Sequence, residues 1–355
     1  MDDLNQNPKL GSADRPNSYI GRSVPRERAK KLLEGKGKYV DDILLPRMVH
    51  LSYVRSPFAH AKIKSINTEN AKKIPGVLNV FTIDDIEKVC TPWQGVLGHL
   101  GEMRSPTQYP LAKDVVRWQG EPVAVVVANK RAVAEDALEL VEIDYEDLDA
   151  QLDMETAMDK STKVIHDDLG NNLFWTRTVN QGDVIEAFKQ SHIVEEVTLD
   201  FARHTGVTLE TRAIVADWDS SEERMTIYHN GQAPHMMQSI IAKHLNISEG
   251  LVRIISCDVG GSFGIKVHVY PDEMVTVAVS KLLKRPVKFV ADRLESYSTD
   301  IHSRCHKISG KIGVDDKGKI LAFEIDDLSG IGPFSVYPRT SAIETNQVLN
   351  LSAAS

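Results

Sequence analysis

The segment Asp258-Val259-Gly260-Gly261-Ser262-Phe263-Gly264-Ile265-Lys266 lies between two contrasting patterns. Before it, the apolar run from Leu251 to Ser256 reads as a buried strand. After it, Tyr270-Pro271-Asp272-Glu273 reads as a helix start, with proline and acids in the first turn. Three glycines between a strand and a helix let backbone N–H groups approach an anionic or flat ligand closely. A phenylalanine among them is foreign to a pure phosphate loop, and points to a ligand that needs packing as well as hydrogen bonds. A Walker loop is excluded, because Ile265 separates Gly264 from Lys266 and Val267 follows the lysine. A dinucleotide fingerprint is excluded because Gly260, Gly261 and Gly264 lack its spacing. Taken locally, two readings stay open: a ligand cradle, or a tight strand-to-helix turn with no ligand.

Downstream of the loop, Met274, Val275, Ala278, Val279 and Leu282 recur at helical spacing and predict an amphipathic helix. A strand is predicted over Pro286–Asp292. Lys307–Val314 and Lys319–Asp326 flank Asp315-Asp316-Lys317-Gly318, a hairpin signal. Upstream, strands are predicted over Ser191–Phe201, Ala213–Trp218 and Arg224–His229, then a helix from Ala233 to about Leu245. Residues 153–172 are polar and irregular and read as a linker. Before them, Val49–Arg55 and Gly76–Thr82 read as strands with a short helix, Asn67–Lys73, between. Pro122–Ala128 is apolar throughout, hence a strand covered on both faces. A helix over Lys130–Leu140 and a strand over Glu142–Tyr145 complete a compact α/β unit.

The chain of 355 residues carries net charge −8 and is 42% hydrophobic, which suits a soluble protein with more than one core. The acidic balance, without a basic stripe, argues against a nucleic-acid partner. No apolar run approaches the ~20 residues of a membrane span. Met1–Ser18 is polar, reads as disordered and lacks a signal core, so a cytoplasmic location is expected. Cys90, Cys257 and Cys305 are too few for a four-thiolate iron–sulfur cluster, and no CxxC pair exists.

Several further segments carry a resemblance. They are Ile20-Gly21-Arg22-Ser23-Val24-Pro25, Gly37-Lys38-Tyr39-Val40-Asp41-Asp42, Val54-Arg55-Ser56-Pro57-Phe58-Ala59-His60-Ala61, Gly120-Glu121-Pro122-Val123-Ala124 and Gly231-Gln232-Ala233-Pro234-His235. With the Gly260–Lys266 loop, and in this order, they resemble the molybdenum-bearing large subunit of the xanthine dehydrogenase / aldehyde oxidase / carbon monoxide dehydrogenase family. The Gln232 segment and the glycine loop look most similar to the carbon monoxide dehydrogenase branch. The resemblance runs from Ile20 onward.

It implies an α/β (α+β) fold: an α/β hammerhead domain over 19–152, the linker 153–172, and the first part of a molybdopterin-binding domain over 173–355. It implies a molybdenum hydroxylase that oxidises an aldehyde, ketone, N-heterocycle or CO-like substrate with water-derived oxygen. The cofactor would be molybdopterin, in bacterial members often the cytosine dinucleotide form. [2Fe–2S] clusters and FAD would sit on separate iron–sulfur and FAD subunits, in keeping with the scarcity of cysteine. Gln232 matches the family glutamine that donates to an oxygen ligand of molybdenum. Gly260, Gly261, Ser262, Phe263 and Gly264 match the loop beside metal and pterin, with Phe263 able to wall the substrate cavity. The family's glutamate base, and its substrate-discriminating loop, match nothing here. A partner chain carrying the C-terminal half would have to supply them, and the abrupt ending at Ser355 fits that expectation. Val267 stands where xanthine-type members place a substrate-binding glutamate, which argues against a purine held in that manner. The alternative is a non-catalytic molybdopterin-binding or scaffold subunit.

His302-Ser303-Arg304-Cys305-His306 has soft ligands at close spacing, but a fourth zinc ligand is not evident. Glu210 matches a family glutamate on the active-site side, and a structural carboxylate explains it equally well. Asp41-Asp42 and Glu135-Asp136 read as solvated or capping acids.

Overall fold

The computed structural model describes residues 23, 26, 29–95, 101–303 and 305–338. The expected disordered segment 1–18, most of the Ile20–Pro25 motif, Arg304 and the final residues lie outside that range. The chain forms two compact units, Met1–Lys38 and Tyr39–Ser355. In the first, α1 (Ala29–Leu33) buries no residue.

The second unit opens with β1 (Val49–Arg55), β2 (Ala61–Asn67), α2 (Glu69–Lys72), β3 (Val77–Phe81) and α3 (Ile83–Ile86). Next come β4 (Val115–Val116), β5 (Pro122–Ala128), α4 (Arg131–Asp136) and β6 (Glu142–Asp147). Then follow α5 (Val184–Gln190), β7 (Ile193–Phe201), β8 (Ala213–Asp219), β9 (Arg224–His229) and α6 (Pro234–His244). β10 (Val252–Ser256), α7 (Pro271–Leu283), β11 (Val287–Val290), α8 (Arg293–Thr299), β12 (Cys305–Val314) and β13 (Ile320–Gly330) end it. A seven-stranded mixed sheet runs in the order β10-β9-β8-β11-β1-β5-β3. It takes strands from both sides of residues 153–172, joined where β1 pairs parallel with β11, Val49 opposite Val287. Two three-stranded sheets, β4-β2-β6 and β13-β12-β7, are built from strands interspersed in sequence with those of the large sheet.

The valine run of β5 is buried at all seven positions, as its lack of a polar face requires. α7 departs from its predicted amphipathic character: every residue from Asp272 to Ser280 is buried. It packs on β8 and β11 and against α3, so each side meets protein. Its polar groups are satisfied internally. Ser280 Oγ accepts from Trp218 N at 3.0 Å and lies 3.1 Å from the Ala216 carbonyl, and Tyr53 Oη donates to the Asp272 carbonyl at 2.7 Å.

Other expectations shift. The strand before the glycine loop exists, but as β10 it is the sheet edge, with Val252 its one buried residue. The Lys130–Leu140 helix tightens to 3-10 geometry over Ala137–Leu140. α1, β2, α3, β4, α5 and α8 are elements that the sequence reading does not give. For α8 the signal was present: Glu295 N donates to Asp292 Oδ1 at 2.7 Å and Asp292 N donates to Glu295 Oε2 at 3.2 Å, a reciprocal cap. β2 alternates lysines with apolar residues and pairs with β6, with an irregularity between Ile63 and Ser65 that breaks the period of two.

A buried ion network clamps the start of α7. Arg212 donates to both Asp272 oxygens, at 2.5 and 2.9 Å, and to Asp300 Oδ1 at 2.6 Å. Its guanidinium lies 3.8 Å from the Tyr270 ring centroid. Arg55, at the end of β1, reaches the same Asp272 at 3.1 Å and Glu295 at 2.8 Å. The Arg55 motif thus joins the two sequence segments through one carboxylate.

Candidate functional site

The glycine loop spans the gap between β10 and α7. Its backbone enters the left-handed region at Gly261 (φ 103°), Phe263 (φ 50°) and Gly264 (φ 90°). Two of its glycines are needed for opposite reasons. A Cβ on Gly260 would lie 2.5 Å from Glu210 Cβ, so this glycine serves packing within the protein. A Cβ on Gly264 would meet nothing within 4 Å, and there the positive φ sets the requirement. The open side of the loop therefore lies at Gly264.

Glu210 holds the loop. Its Oε2 accepts from Gly260 N at 2.7 Å and from Lys266 Nζ at 3.0 Å, while its own N–H donates to the Gly260 carbonyl at 3.1 Å. Lys266 is buried, and burial lowers its pKa against the opposing pull of Glu210. The backbone of Lys266 ties in the second motif, because Gln232 N donates to the Lys266 carbonyl at 2.9 Å. Gln232 and the 260–264 loop, distant in sequence, thus lie side by side. The Gln232 side chain is exposed. Tyr270 Oη donates to the Ile265 carbonyl at 2.8 Å and closes the loop onto α7.

The site holds buried polar atoms that the protein leaves without a hydrogen-bond partner: Ser262 Oγ, Glu210 Oε1 and, beside Gly206, Thr205 Oγ1. Gly206 itself abuts Phe263 and Ile265. Such orphans are costly unless a ligand or water meets them. Phe263 is 76% exposed, with Leu209 exposed nearby in sequence to Glu210. A cradle with orphaned oxygen groups, positive-φ glycines and an exposed aromatic fits a flat polar cofactor. A separate cavity of about 270 Å³ lies between the start of α7 and residues 330–337, lined by Arg55, Trp118, Tyr270 and Phe334 among others. None of Gln232 and 260–264 lines it.

Sequence reasoning named Gln232, the loop and Glu210, but missed Lys266 as the group that joins them. No sequence signal exists for that contact, since its partners lie 34 and 56 residues away in the chain. His306, from the candidate zinc cluster, bonds Asp327 Oδ1 at 2.9 Å, and Cys305 Sγ lies 3.6 Å from Met154 Sδ. Among the described residues no group of His, Cys, Asp and Glu is arranged to hold a metal ion. Asp42 caps Tyr39 N at 2.8 Å and Glu135 pairs with Arg131, as structural acids do. Among the described residues no helix is long and apolar enough to cross a membrane.

Residues 165–353 match the molybdopterin cofactor-binding domain, and residues 34–149 match the a/b hammerhead domain of aldehyde oxidase and xanthine dehydrogenase. The chain is 36% identical to the nicotine 6-hydroxylase large subunit of Paenarthrobacter nicotinovorans, over 95% of this chain and 41% of that one. It is 32% identical to the carbon monoxide dehydrogenase large chain of Hydrogenophaga pseudoflava, over 87% and 40%. The crystal structure of quinoline 2-oxidoreductase from Pseudomonas putida 86 superposes with a TM-score of 0.88 at 31% identity, covering 91% of this chain and 41% of that one. The chain spans about two-fifths of the length of the relatives it matches. It belongs to the molybdenum-binding large-subunit family of the aldehyde oxidases, xanthine dehydrogenases and carbon monoxide dehydrogenases, and carries that family's hammerhead and molybdopterin cofactor-binding regions.

Proposed function

We propose that this chain is the cofactor-holding portion of a molybdenum hydroxylase that oxidises a small organic substrate, an aldehyde, ketone, N-heterocycle or CO-like molecule. Its hammerhead domain would span 19–152, its linker 153–172, and the first part of its cofactor domain 173–355. The observation that carries the reading is the union of Gln232 with the 260–264 loop through Lys266, beside the orphaned Ser262 hydroxyl. When bound, a molybdopterin-type molybdenum cofactor would supply oxygen transfer from water and two-electron redox chemistry.

The chain's own residues bind and orient. Gln232, exposed beside the loop, would help hold the cofactor by offering an amide N–H to an oxygen ligand, which a carboxylate cannot do. Gly261 and Gly264 let the backbone approach the cofactor, and Ser262 Oγ adds a hydroxyl. Phe263 would wall the substrate side. Glu210 and Lys266 set the loop's position without touching the reacting atoms. The catalytic glutamate base would lie in the part of the large subunit outside the region that this chain spans. Electrons leave to a [2Fe–2S] subunit and an FAD subunit, in a cytoplasmic complex.

The test is molybdenum content beside steady-state kinetics in the assembled complex. Gly264→Val places a branched side chain on the loop's open side at positive φ, and should strip molybdenum while the hammerhead region stays folded. Phe263→Ala should keep molybdenum but raise KM or broaden the substrate range. Full molybdenum and normal rates in Gly264→Val would make the loop a mere turn and leave the scaffold reading.

A further inference from the structure

β9 ends at His229, just before the Gly231-Gln232 segment. The His229 side chain is buried, and so is Glu273 in the first turn of α7. His229 Nε2 lies 3.1 Å from Glu273 Oε1. A carboxylate can only accept, which assigns the proton to Nε2 as donor. Glu273 Oε2 in turn accepts from Tyr270 N at 3.4 Å, so the imidazole is anchored to the start of α7.

Another edge of the same ring meets Gly231. A Cβ built on Gly231 would overlap Cε1 and Nδ1 of His229, and would lie 3.3 Å from the Lys266 carbonyl oxygen. Gly231 is outside the left-handed region, so dihedral freedom is not what calls for glycine here. The imidazole occupies the place of a side chain. The Lys266 carbonyl on the other side accepts from Gln232 N at 2.9 Å. Gly231 is therefore wedged between the His229 ring and the Lys266 carbonyl, and Gln232 leaves that wedge with its backbone held and its side chain exposed. Asn230 ties the segment to β8, donating to the Thr211 carbonyl at 2.8 Å and accepting from Ala213 N at 3.2 Å.

We infer that His229 is a positioning residue. Held by Glu273, its ring fixes the backbone of Gly231 and Gln232, and so sets where the Gln232 amide is presented to an oxygen ligand of the cofactor's metal. His229 acts through Gly231 rather than on the cofactor. The inference rests on the proposed role of Gln232, and deepens it.

The test uses the assembled, molybdenum-loaded complex. Its readouts are metal content, the electron paramagnetic resonance spectrum after partial reduction with dithionite, and the urea midpoint. Gln232→Ala defines the spectral shift that follows loss of the amide. His229→Ala should shift the spectrum in the same direction with molybdenum retained. Adding Gln232→Ala to it should shift the spectrum no further, because both changes act through one amide. His229→Phe keeps a ring against Gly231 but leaves Glu273 buried without its donor, so it should lower the urea midpoint while keeping the wild-type spectrum. Gly231→Ala drives a Cβ into the ring and should shift the spectrum or lose metal, and His229→Ala in the same chain should recover part of that loss. A wild-type spectrum in His229→Ala beside a shifted one in Gln232→Ala overturns the inference and leaves the role of Gln232 standing. An unshifted spectrum in Gln232→Ala overturns both. Equal shifts in His229→Phe and His229→Ala also overturn the inference, because stability rather than the ring contact would then set the signal. If His229→Ala does not assemble, Gly231→Ala decides: a wild-type spectrum with full molybdenum there overturns the inference, and a shifted one beside an unshifted His229→Phe supports it.

Discussion

β5 and β7 are both apolar-rich strands, yet β5 is buried at all seven positions and β7 is exposed at all nine. The difference lies in their neighbours. β5 sits between β1 and β3, with packed residues on each face. β7 pairs with β12 alone, and it is left open along one edge and exposed on both faces. Apolar content therefore marks a strand that seeks cover, while the cover itself depends on what other chain segments reach it. The same contrast separates the ion-clamped start of α7 from the glycine loop just before it. The first is saturated by protein groups, and the second keeps orphaned oxygens.

The sharpest way to break this contrast is at Arg212. Arg212→Met keeps much of the volume but leaves Asp272 and Asp300 buried without their shared cation. It should cost ~3–5 kcal/mol, read as a lowered urea midpoint. A loss under ~1 kcal/mol would mean that this core is not held by the network.

Glu121, preceding β5, is next. Burial pushes its carboxyl from 4.5 up to about 7, against the pull of the Arg117 backbone N–H. The folded state then keeps a proton that the unfolded state has lost. Stability should fall as pH rises from about 4.5 to about 7, by ~3 kcal/mol in all. Glu121→Gln keeps an acceptor for Arg117 N and should flatten that slope, so its gain over wild type should grow from about pH 5 to about pH 8 in urea titrations. An equal gain at both pH values would show that Glu121 does not titrate in this range.

The two strands themselves can be compared with one truncation each. Val125→Ala in β5 should cost ~2 kcal/mol, through lost burial and the cavity left behind. Val197→Ala in β7 should cost no more than ~0.5 kcal/mol in the isolated chain. Thermal melts of the two variants check the pair, and equal losses would mean that β7 is covered in solution.

Much was legible in the chain. The β5 run, the proline-led start of α7, the buried stripe of α6 (Met237, Ile240, Ile241) and the β12–β13 hairpin all follow from local pattern. The candidacy of Gln232 and the 260–264 loop came instead from the family resemblance, which rests on the order of several motifs along the chain. β2 was not legible, since its lysines and its irregularity obscure the alternation. The exposure of β10 was not legible either: an apolar run looks alike at the centre and the edge of a sheet.

Local sequence thus sufficed for the longer helices and strands, for turn chemistry and for the family's motifs, each of which depends on residues near one another in the chain. Folding in three dimensions was needed to bring Glu210 and Lys266 onto the glycine loop, to set Gln232 beside it, and to send Arg55 and Arg212 to one carboxylate. It also left the face of Val197 and Phe323 bare. These contacts join residues tens to hundreds of positions apart, and burial and charge pairing depend on distance in space, which no local pattern encodes.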